Sequence, residues 1–247
     1  MVSNRVLGLV IGVLVAWLLA VRLRSPRERN VLFLVASYIF YGSFGLWFLG
    51  ILLASTFLNY AWGLHLRHQP RASRLWLGIA INLLLLSSFK YLPGVAAHMV
   101  QTSRLAANLS QLVLPLGMSF WTFQALSYLL DIYQGQELDP SLLEFSLYMA
   151  FGPTVLSGPI CRVSDLLPQF RQPFRPRWSS LCYGLERIWL GIFLMTLARA
   201  LAAGIPAGQG IDGGFARPHL GAADVWALAV GYGFQLFFDF AGYTHIA

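Results

Sequence analysis

Long apolar segments that recur along the chain are the feature that most limits how it can fold. No acidic residue occurs between Glu28 and Asp131, and apolar runs of about the length needed to cross a bilayer follow one another there and beyond. Only 11% of the residues are charged, 57% are hydrophobic and the mean hydropathy is +0.63. So few charges do not cover a soluble globule of 247 residues. The sequence therefore predicts an all-α, polytopic transmembrane helix bundle.

The apolar segments predict about seven membrane spans and one segment that does not cross. The expected spans lie at about 6–21, 30–46, 47–64, 75–92, 112–133, 183–203 and 222–241. A weaker apolar segment at about 141–157 is predicted to be re-entrant or interfacial. The first run is followed by RLRSPRER rather than by small residues, so we expect an uncleaved spanning helix and not a signal peptide.

The distribution of arginines predicts the orientation of these spans. Arginines crowd the first connection, the third connection and the stretch after residue 158, at Arg22, Arg24, Arg27, Arg29, Arg67, Arg71, Arg74, Arg162, Arg171, Arg175, Arg177 and Arg187. By the positive-inside rule these regions face the cytoplasm, which places the N-terminus outside. A basic nucleic-acid-binding protein would not carry long uncharged stretches between its arginines, so membrane lipid and not nucleic acid is the expected partner.

The longest polar interruption runs from residue 158 to residue 180. Its four prolines, Pro159, Pro168, Pro173 and Pro176, exclude one continuous helix. We treat residues 1–247 as a single transmembrane domain and 158–180 as a Pro/Arg-rich cytoplasmic loop within it. Irregular backbone at membrane depth must be buried in protein or line a wet cavity. The stretch is therefore either an ordinary loop or the mouth of a cavity, and the residues favour neither.

Three motifs, in order along the chain, resemble the membrane-bound O-acyltransferase (MBOAT) family. They are LPLGMSFWTFQALSYLLDIYQG (114–135), FGPTVLSGPICRVSDLLPQF (151–170) and GYGFQLFFDFAGYTHIA (231–247). NVLFLVASYIFYGSFG (30–45) and SSFKY (87–91) are similar to its branch of bacterial alginate O-acetyltransferases and D-alanyl transfer proteins of teichoic acids. The resemblance covers most of the chain.

This resemblance implies helices around a tunnel that joins the cytoplasm to the far side of a bacterial inner membrane. A cytoplasmic acyl donor, acetyl-CoA or another, would be a substrate, and no bound cofactor is expected. The expected function is an O-acyltransferase component that acetylates an exported, alginate-like polysaccharide. The N-terminus would be periplasmic, with periplasmic acetylation or polysaccharide-export proteins as partners. The alternative is a non-catalytic, truncated membrane scaffold that docks a partner.

The family's catalytic histidine stands in a Trp-His pair a few tens of residues after the FDFAGY segment. No Trp-His pair occurs in this sequence, so the chain resembles the N-terminal portion of the family and no catalytic residue is assigned. His245 stands where relatives often carry Asp, and its role stays open. His65 and His68 have no third ligand nearby, so no metal site is expected.

Five residues are candidates for a tunnel wall or a donor-binding site: Gln124, Arg162, Asp239, Tyr243 and His245. Asp239 is an acid within an apolar helix, where it is costly unless paired or wetted, and a structural partner for an arginine is the competing interpretation. Gln124 would orient a substrate or make an interhelical hydrogen bond. Arg162 would hold donor phosphates or act only as a positive-inside residue.

Aromatic residues near the membrane surface offer a simpler interpretation for some positions. Tyr128, Asp131 and Tyr133 end the predicted span at 112–133 and are typical of an interfacial anchor. Tyr243 would either reach the tunnel or belong to the same kind of aromatic belt.

Overall fold

The computed structural model describes residues 23, 25–98, 113–155, 160–173, 177–204, 210–214 and 220–246. The predicted span at 6–21 lies outside the described residues. The helices are α1 (Pro26–Gly42), α2 (Leu46–His68), α3 (Ala72–His98), α4 (Met118–Tyr133), α5 (Leu142–Ala150), α6 (Gly152–Val155), α7 (Val163–Arg171), α8 (Trp178–Ala203), α9 (Ile211–Gly214) and α10 (Ala222–Ile246). They fall into two compact units, residues 1–175 and 176–247.

Four of the described helices are long and apolar enough to cross a membrane, namely α2, α3, α8 and α10. They contain the predicted spans 47–64, 75–92, 183–203 and 222–241. The all-helical class is therefore confirmed, since no strand occurs among the described residues. The finer prediction of seven spans and a re-entrant segment is not confirmed.

Two predicted spans correspond to described helices that are shorter than these four. α1 has 17 residues and ends at Gly42, while α4 has 16 residues and begins only at Met118. At about 1.5 Å per residue both are near 25 Å long, against about 30 Å of hydrocarbon. Pro115 and Gly117 explain the late start of α4, because Gly117 adopts a left-handed backbone with φ 72°. Residues 141–157 contain the short helices α5 and α6, and their re-entrant path stays a prediction.

α4 is the central helix of the first unit. Its buried side chains follow helical spacing at Trp121, Ala125, Tyr128, Leu129 and Ile132, and it contacts α2, α3 and α5. The Tyr128 ring lies against Gly63 of α2, where an added Cβ would come within 2.5 Å of it. Protein therefore covers most of α4, although Phe123 and Leu130 are exposed, and the buried Gln124 and Asp131 belong to an interior.

A reciprocal amide pair joins α2 to α3. Asn59 Nδ2 donates to Asn82 Oδ1 at 3.1 Å, and Asn82 Nδ2 donates to Asn59 Oδ1 at 2.8 Å. Each amide also donates to a carbonyl one turn back in its own helix, at Ser55 and Gly78. Both asparagines are buried. Because hydrocarbon offers no replacement partner, the pair fixes which faces of these two spans meet.

In the second unit, α8 and α10 approach closely at two glycines. A Cβ added to Gly191 would lie 2.5 Å from the Gly242 carbonyl oxygen, and a Cβ added to Gly242 would lie 2.7 Å from the Gly191 carbonyl oxygen. Large apolar side chains elsewhere on the two helices are exposed, including Trp189, Phe193, Trp226 and Phe237. Small residues at the contact and large ones outside it are typical of membrane helix pairs.

We expect the Asn59–Asn82 pair to have a measurable coupling free energy. The variants Asn59→Ala, Asn82→Ala and their combination should give a coupling of about 0.6 kcal/mol and at most about 1.7 kcal/mol, the range found for polar pairs in membranes. Unfolding of the detergent-solubilised chain measures it. Ser88→Ala on α3 is the control, because Ser88 is exposed and bonds only within its own helix. Additive effects of the two asparagine variants would contradict the assignment.

We expect Gly191→Ala to destabilise the α8–α10 pair by about 1–3 kcal/mol, the usual cost of overpacking. The matched control is Gly184→Ala on the same helix, where an added Cβ meets nothing within 4 Å. Thermal unfolding compares the two variants. Equal midpoints for Gly191→Ala and Gly184→Ala would show that the helices do not cross at this glycine.

Candidate functional site

The buried face of α4 carries several polar atoms without a hydrogen-bond partner among the described residues. Gln124 and Asp131 lie two turns apart and are 1% and 3% exposed. Gln124 Oε1 and Asp131 Oδ2 have no hydrogen-bond partner among the described residues. Buried polar atoms are nearly always paired. A hydrogen-bond donor from water or a ligand would therefore be favoured beside each of these two acceptors.

Tyr148 on α5 links α4 to the segment that precedes α7. Its hydroxyl lies 2.9 Å from the Cys161 carbonyl oxygen and 3.2 Å from the Gln124 carbonyl oxygen, and it can donate to either. Ser127 Oγ lies 3.4 Å from the same hydroxyl and donates to the Gln124 carbonyl at 3.0 Å. This small network places the Cys161–Arg162 backbone beside the polar face of α4.

Arg162 and Asp131 form the charged part of the site. Arg162 Nη1 lies 3.7 Å from Asp131 Oδ1, and the arginine side chain is 60% exposed while that of the acid is 4% exposed. The acid is thus held inside the protein, and the guanidinium extends toward the surface. Since a guanidinium has five N–H donors in a planar fork, Arg162 has donors left for an anionic group.

The predicted loop at 158–180 contains a helix that packs on the core. Val163, Leu167 and Phe170 of α7 are buried in the main apolar cluster, and the Phe170 ring meets the Phe151 ring edge to face at 5.9 Å. Pro168 lies inside α7. Reasoning from the prolines missed this helix, although the spacing of its three apolar residues would have revealed it.

Two side-chain ties hold the C-terminal end of α7. Arg29 of α1 donates to the carbonyl oxygens of Gln169, Phe170 and Gln172 at 3.2, 2.6 and 2.7 Å. On the other side, Arg171 donates to the Glu144 carboxylate at 2.7 and 3.1 Å. These side-chain hydrogen bonds and the apolar packing set the orientation of α7, and with it the place of Arg162 just before its first turn.

Glu144 is held in its ionised form by several donors. Besides Arg171, it accepts hydrogen bonds from the Ser141 backbone N–H and hydroxyl, at 2.7 and 2.9 Å, as the acidic partner of a capping box on α5. The side-chain hydrogen bond from Arg171 is the main cause that lowers the pKa of Glu144 below its usual value, against the opposing effect of burial.

The five predicted site residues divide between the two units. Gln124 and Arg162 lie in the first unit, connected through Tyr148, Cys161 and Asp131. Asp239, Tyr243 and His245 lie on α10 in the second unit. Asp239 is exposed there, with no basic group of a described residue within ion-pair distance, while Tyr243 and His245 are half-buried. The roles predicted for all five stay predictions.

The interfacial-anchor interpretation of Tyr128 and Asp131 is wrong. Both side chains are enclosed by protein, and only Tyr133 is substantially exposed. Sequence reasoning also missed Tyr148 and Arg29 as part of the site. A tyrosine inside an apolar segment gives no signal of its hydrogen bonds, and Arg29 stands in an arginine-rich stretch where orientation alone explains its presence.

Known proteins with similar sequences carry acyl-transfer names. The chain is 32% identical over 235 residues, 91% of its length, to a probable alginate O-acetylase AlgI of Pseudomonas syringae pv. tomato. It is 27% identical over 97% of its length to a peptidoglycan O-acetyltransferase of Helicobacter pylori. It is 35% identical over 53% of its length to a teichoic acid D-alanyltransferase of Streptococcus thermophilus.

These similarities cover most of this chain but only part of each relative. The chain spans 44% of the Pseudomonas protein and 50% of the Helicobacter protein, about half the length of the relatives it matches. No protein-family model matches the chain.

The Glu144–Arg171 pair predicts an acid-sensitive stability. Because the folded-state pKa of Glu144 is lowered, its contribution is complete above the ordinary glutamate pKa of about 4.3 and is lost as the pH falls below that value through the lowered one. Glu144→Gln should lower the thermal midpoint at pH 7 and flatten its decline below pH 5. Glu137→Gln, at an exposed acid nearby, is the control. An unchanged decline in Glu144→Gln would exclude this carboxylate as a cause.

Proposed function

The chain is a homologue of the membrane-bound O-acyltransferases over 91% of its length, and we propose that it forms part of an enzyme that moves an acetyl group to an exported polysaccharide. The observation that carries the proposal is the 31–32% identity to probable alginate O-acetylases over nearly the whole chain. The four apolar helices long enough to span a membrane agree with that setting. Alginate is the favoured acceptor and peptidoglycan the second, from the names of the relatives.

The proposed reaction transfers the acyl group from a thioester on the cytoplasmic side to a hydroxyl on the far side. A base must take the hydroxyl proton as the oxygen attacks, and imidazole has a suitable pKa for that step. We assign that role to none of the histidines of this chain. The described residues instead supply groups that could bind a substrate. Arg162 would bind a negatively charged group, and the side-chain oxygens of Gln124 and Asp131 would accept hydrogen bonds from the substrate.

Acetyl-CoA is the donor that we propose, because its phosphates suit the half-exposed Arg162 guanidinium. Arginine binds phosphate through paired N–H groups, and the buried Asp131 keeps the side chain oriented without occupying all of its donors. In this arrangement Arg162 lies on the cytoplasmic face of an inner membrane and the N-terminus lies in the periplasm. Acetylation or polysaccharide-export proteins in the periplasm are the proposed partners.

We expect Arg162→Met to weaken acetyl-CoA binding by at least about tenfold, since one lost charge-assisted hydrogen bond is worth about 1.5–3 kcal/mol. Arg177→Met, which removes an exposed arginine in a neighbouring stretch, should leave the affinity within about twofold if Arg162 alone contacts the phosphates. Calorimetry on the chain reconstituted in lipid nanodiscs measures both.

The loss of acetyl-CoA affinity in Arg162→Met should be smaller at high salt, because salt screens a partly exposed charge. Equal affinities of the wild type and Arg162→Met at low ionic strength would remove Arg162 from the donor site. Failure of the wild type to bind acetyl-CoA would remove this donor from the proposal.

A further inference from the structure

Arg29 has a buried guanidinium that contacts backbone carbonyls and no acid. The residue is 4% exposed, and its donors reach the carbonyl oxygens of Gln169, Phe170 and Gln172. Asn30 Nδ2 adds a bond to the Phe170 carbonyl at 3.0 Å. Among the described residues, no carboxylate lies within ion-pair distance of Arg29. Its counter-charge is therefore the C-terminal end of α7.

The end of a helix is a suitable partner for such a cation. The last carbonyl groups of a helix have no N–H partner within the helix, and they form the negative end of its dipole. The planar guanidinium of an arginine can donate to several of them at once. α7 has only nine residues, and Pro168 removes one of its internal hydrogen bonds. A helix this short does not hold itself together in isolation, so outside contacts decide where it lies.

The opposite end of α7 carries the charged part of the candidate site. Arg162 is the residue that precedes the first turn, and its carbonyl accepts the hydrogen bond of the Leu166 amide. Its side chain faces the buried Asp131. A nine-residue helix is only about 13 Å long, so its two ends lie close together. A change in how its C-terminal end is held therefore moves the Arg162 guanidinium relative to Asp131.

We propose that Arg29 is a positioning residue that acts through α7 to hold Arg162 where an acyl donor's anionic group binds. This inference rests on the proposed function, because it takes Arg162 as the donor-binding group. Under this proposal Arg29, one of the arginines at positions 22–29, positions a helix in addition to orienting the chain in the membrane. Arg27, two residues earlier on the same helix, is exposed and has no such task.

Loss of Arg29 should loosen α7 without unfolding the unit. The Arg171–Glu144 pair and the apolar contacts of Val163, Leu167 and Phe170 remain in an Arg29 variant. Arg29→Met keeps the length of the side chain and removes its donors, which avoids a large cavity. Arg27→Met is the matched control, with the same change of charge at an exposed position of the same helix.

The structural test is hydrogen exchange on the full chain in lipid nanodiscs. In Arg29→Met, the Leu166 amide should exchange about tenfold faster than in the wild type, as should the last turn of α7. Arg27→Met should leave both unchanged, and Arg29→Lys should restore part of the protection. Faster exchange confined to the last turn would show that the effect does not reach Arg162, and would overturn the proposal.

The functional test is acetyl-CoA affinity in a double-mutant cycle. Arg29→Met should weaken binding several-fold by itself and add nothing to Arg162→Met, because it acts through that residue. Additive losses, or faster exchange with unchanged affinity in a chain that binds acetyl-CoA, would overturn the proposal. If the wild type binds no acetyl-CoA, the proposed donor fails, and the exchange of the Leu166 amide alone decides whether Arg29 positions this end of α7.

Discussion

Every polar group that this chain removes from water must find its partner inside the protein. Neither lipid nor an apolar core supplies hydrogen bonds, so an unpaired donor or acceptor costs several kcal/mol there. Asn59 and Asn82 satisfy each other across two spans, and the guanidinium of Arg29 satisfies the end of a short helix. These pairings specify which helices are neighbours, whereas apolar contacts in a membrane allow many alternatives.

Among the described residues, the candidate site is one of several places where this rule is incompletely obeyed. α4 is surrounded by protein on the face that carries Gln124 and Asp131, yet Gln124 Oε1 and Asp131 Oδ2 have no partner among the described residues. Exceptions of this kind tend to occur at functional positions, where a ligand or water completes the network. Asp131 lies beside the exposed Arg162 guanidinium, and the Tyr148 hydroxyl lies between the Cys161 and Gln124 carbonyl oxygens, so polar groups of α4 meet the segment that precedes α7.

Hydropathy predicted the four candidate membrane spans α2, α3, α8 and α10, because a long apolar run with few charges has few other ways to be stable. It leaves open the predicted spans 30–46 and 112–133, whose described helices α1 and α4 are shorter than those four. Pro115 and Gly117 delay the start of α4, and protein covers most of this helix while Phe123 and Leu130 are exposed. The motifs identified the family and drew attention to Gln124 and Arg162, two residues of the first unit's candidate site whose roles stay predictions. They did not indicate Tyr148, whose importance depends on where its hydroxyl points in three dimensions.

The arginines illustrate the same limit most clearly. The positive-inside rule counts them as equivalent charges, yet Arg29 and Arg162 differ in every physical respect that matters to a site. The first is buried with its donors directed at carbonyl oxygens, and the second is exposed with a buried acid behind it. Arg29 contacts the C-terminal end of α7, and Arg162 precedes the first turn of the same helix. A count of charges describes how such a chain enters the membrane, but only the partners of each guanidinium show that the two arginines lie in different surroundings.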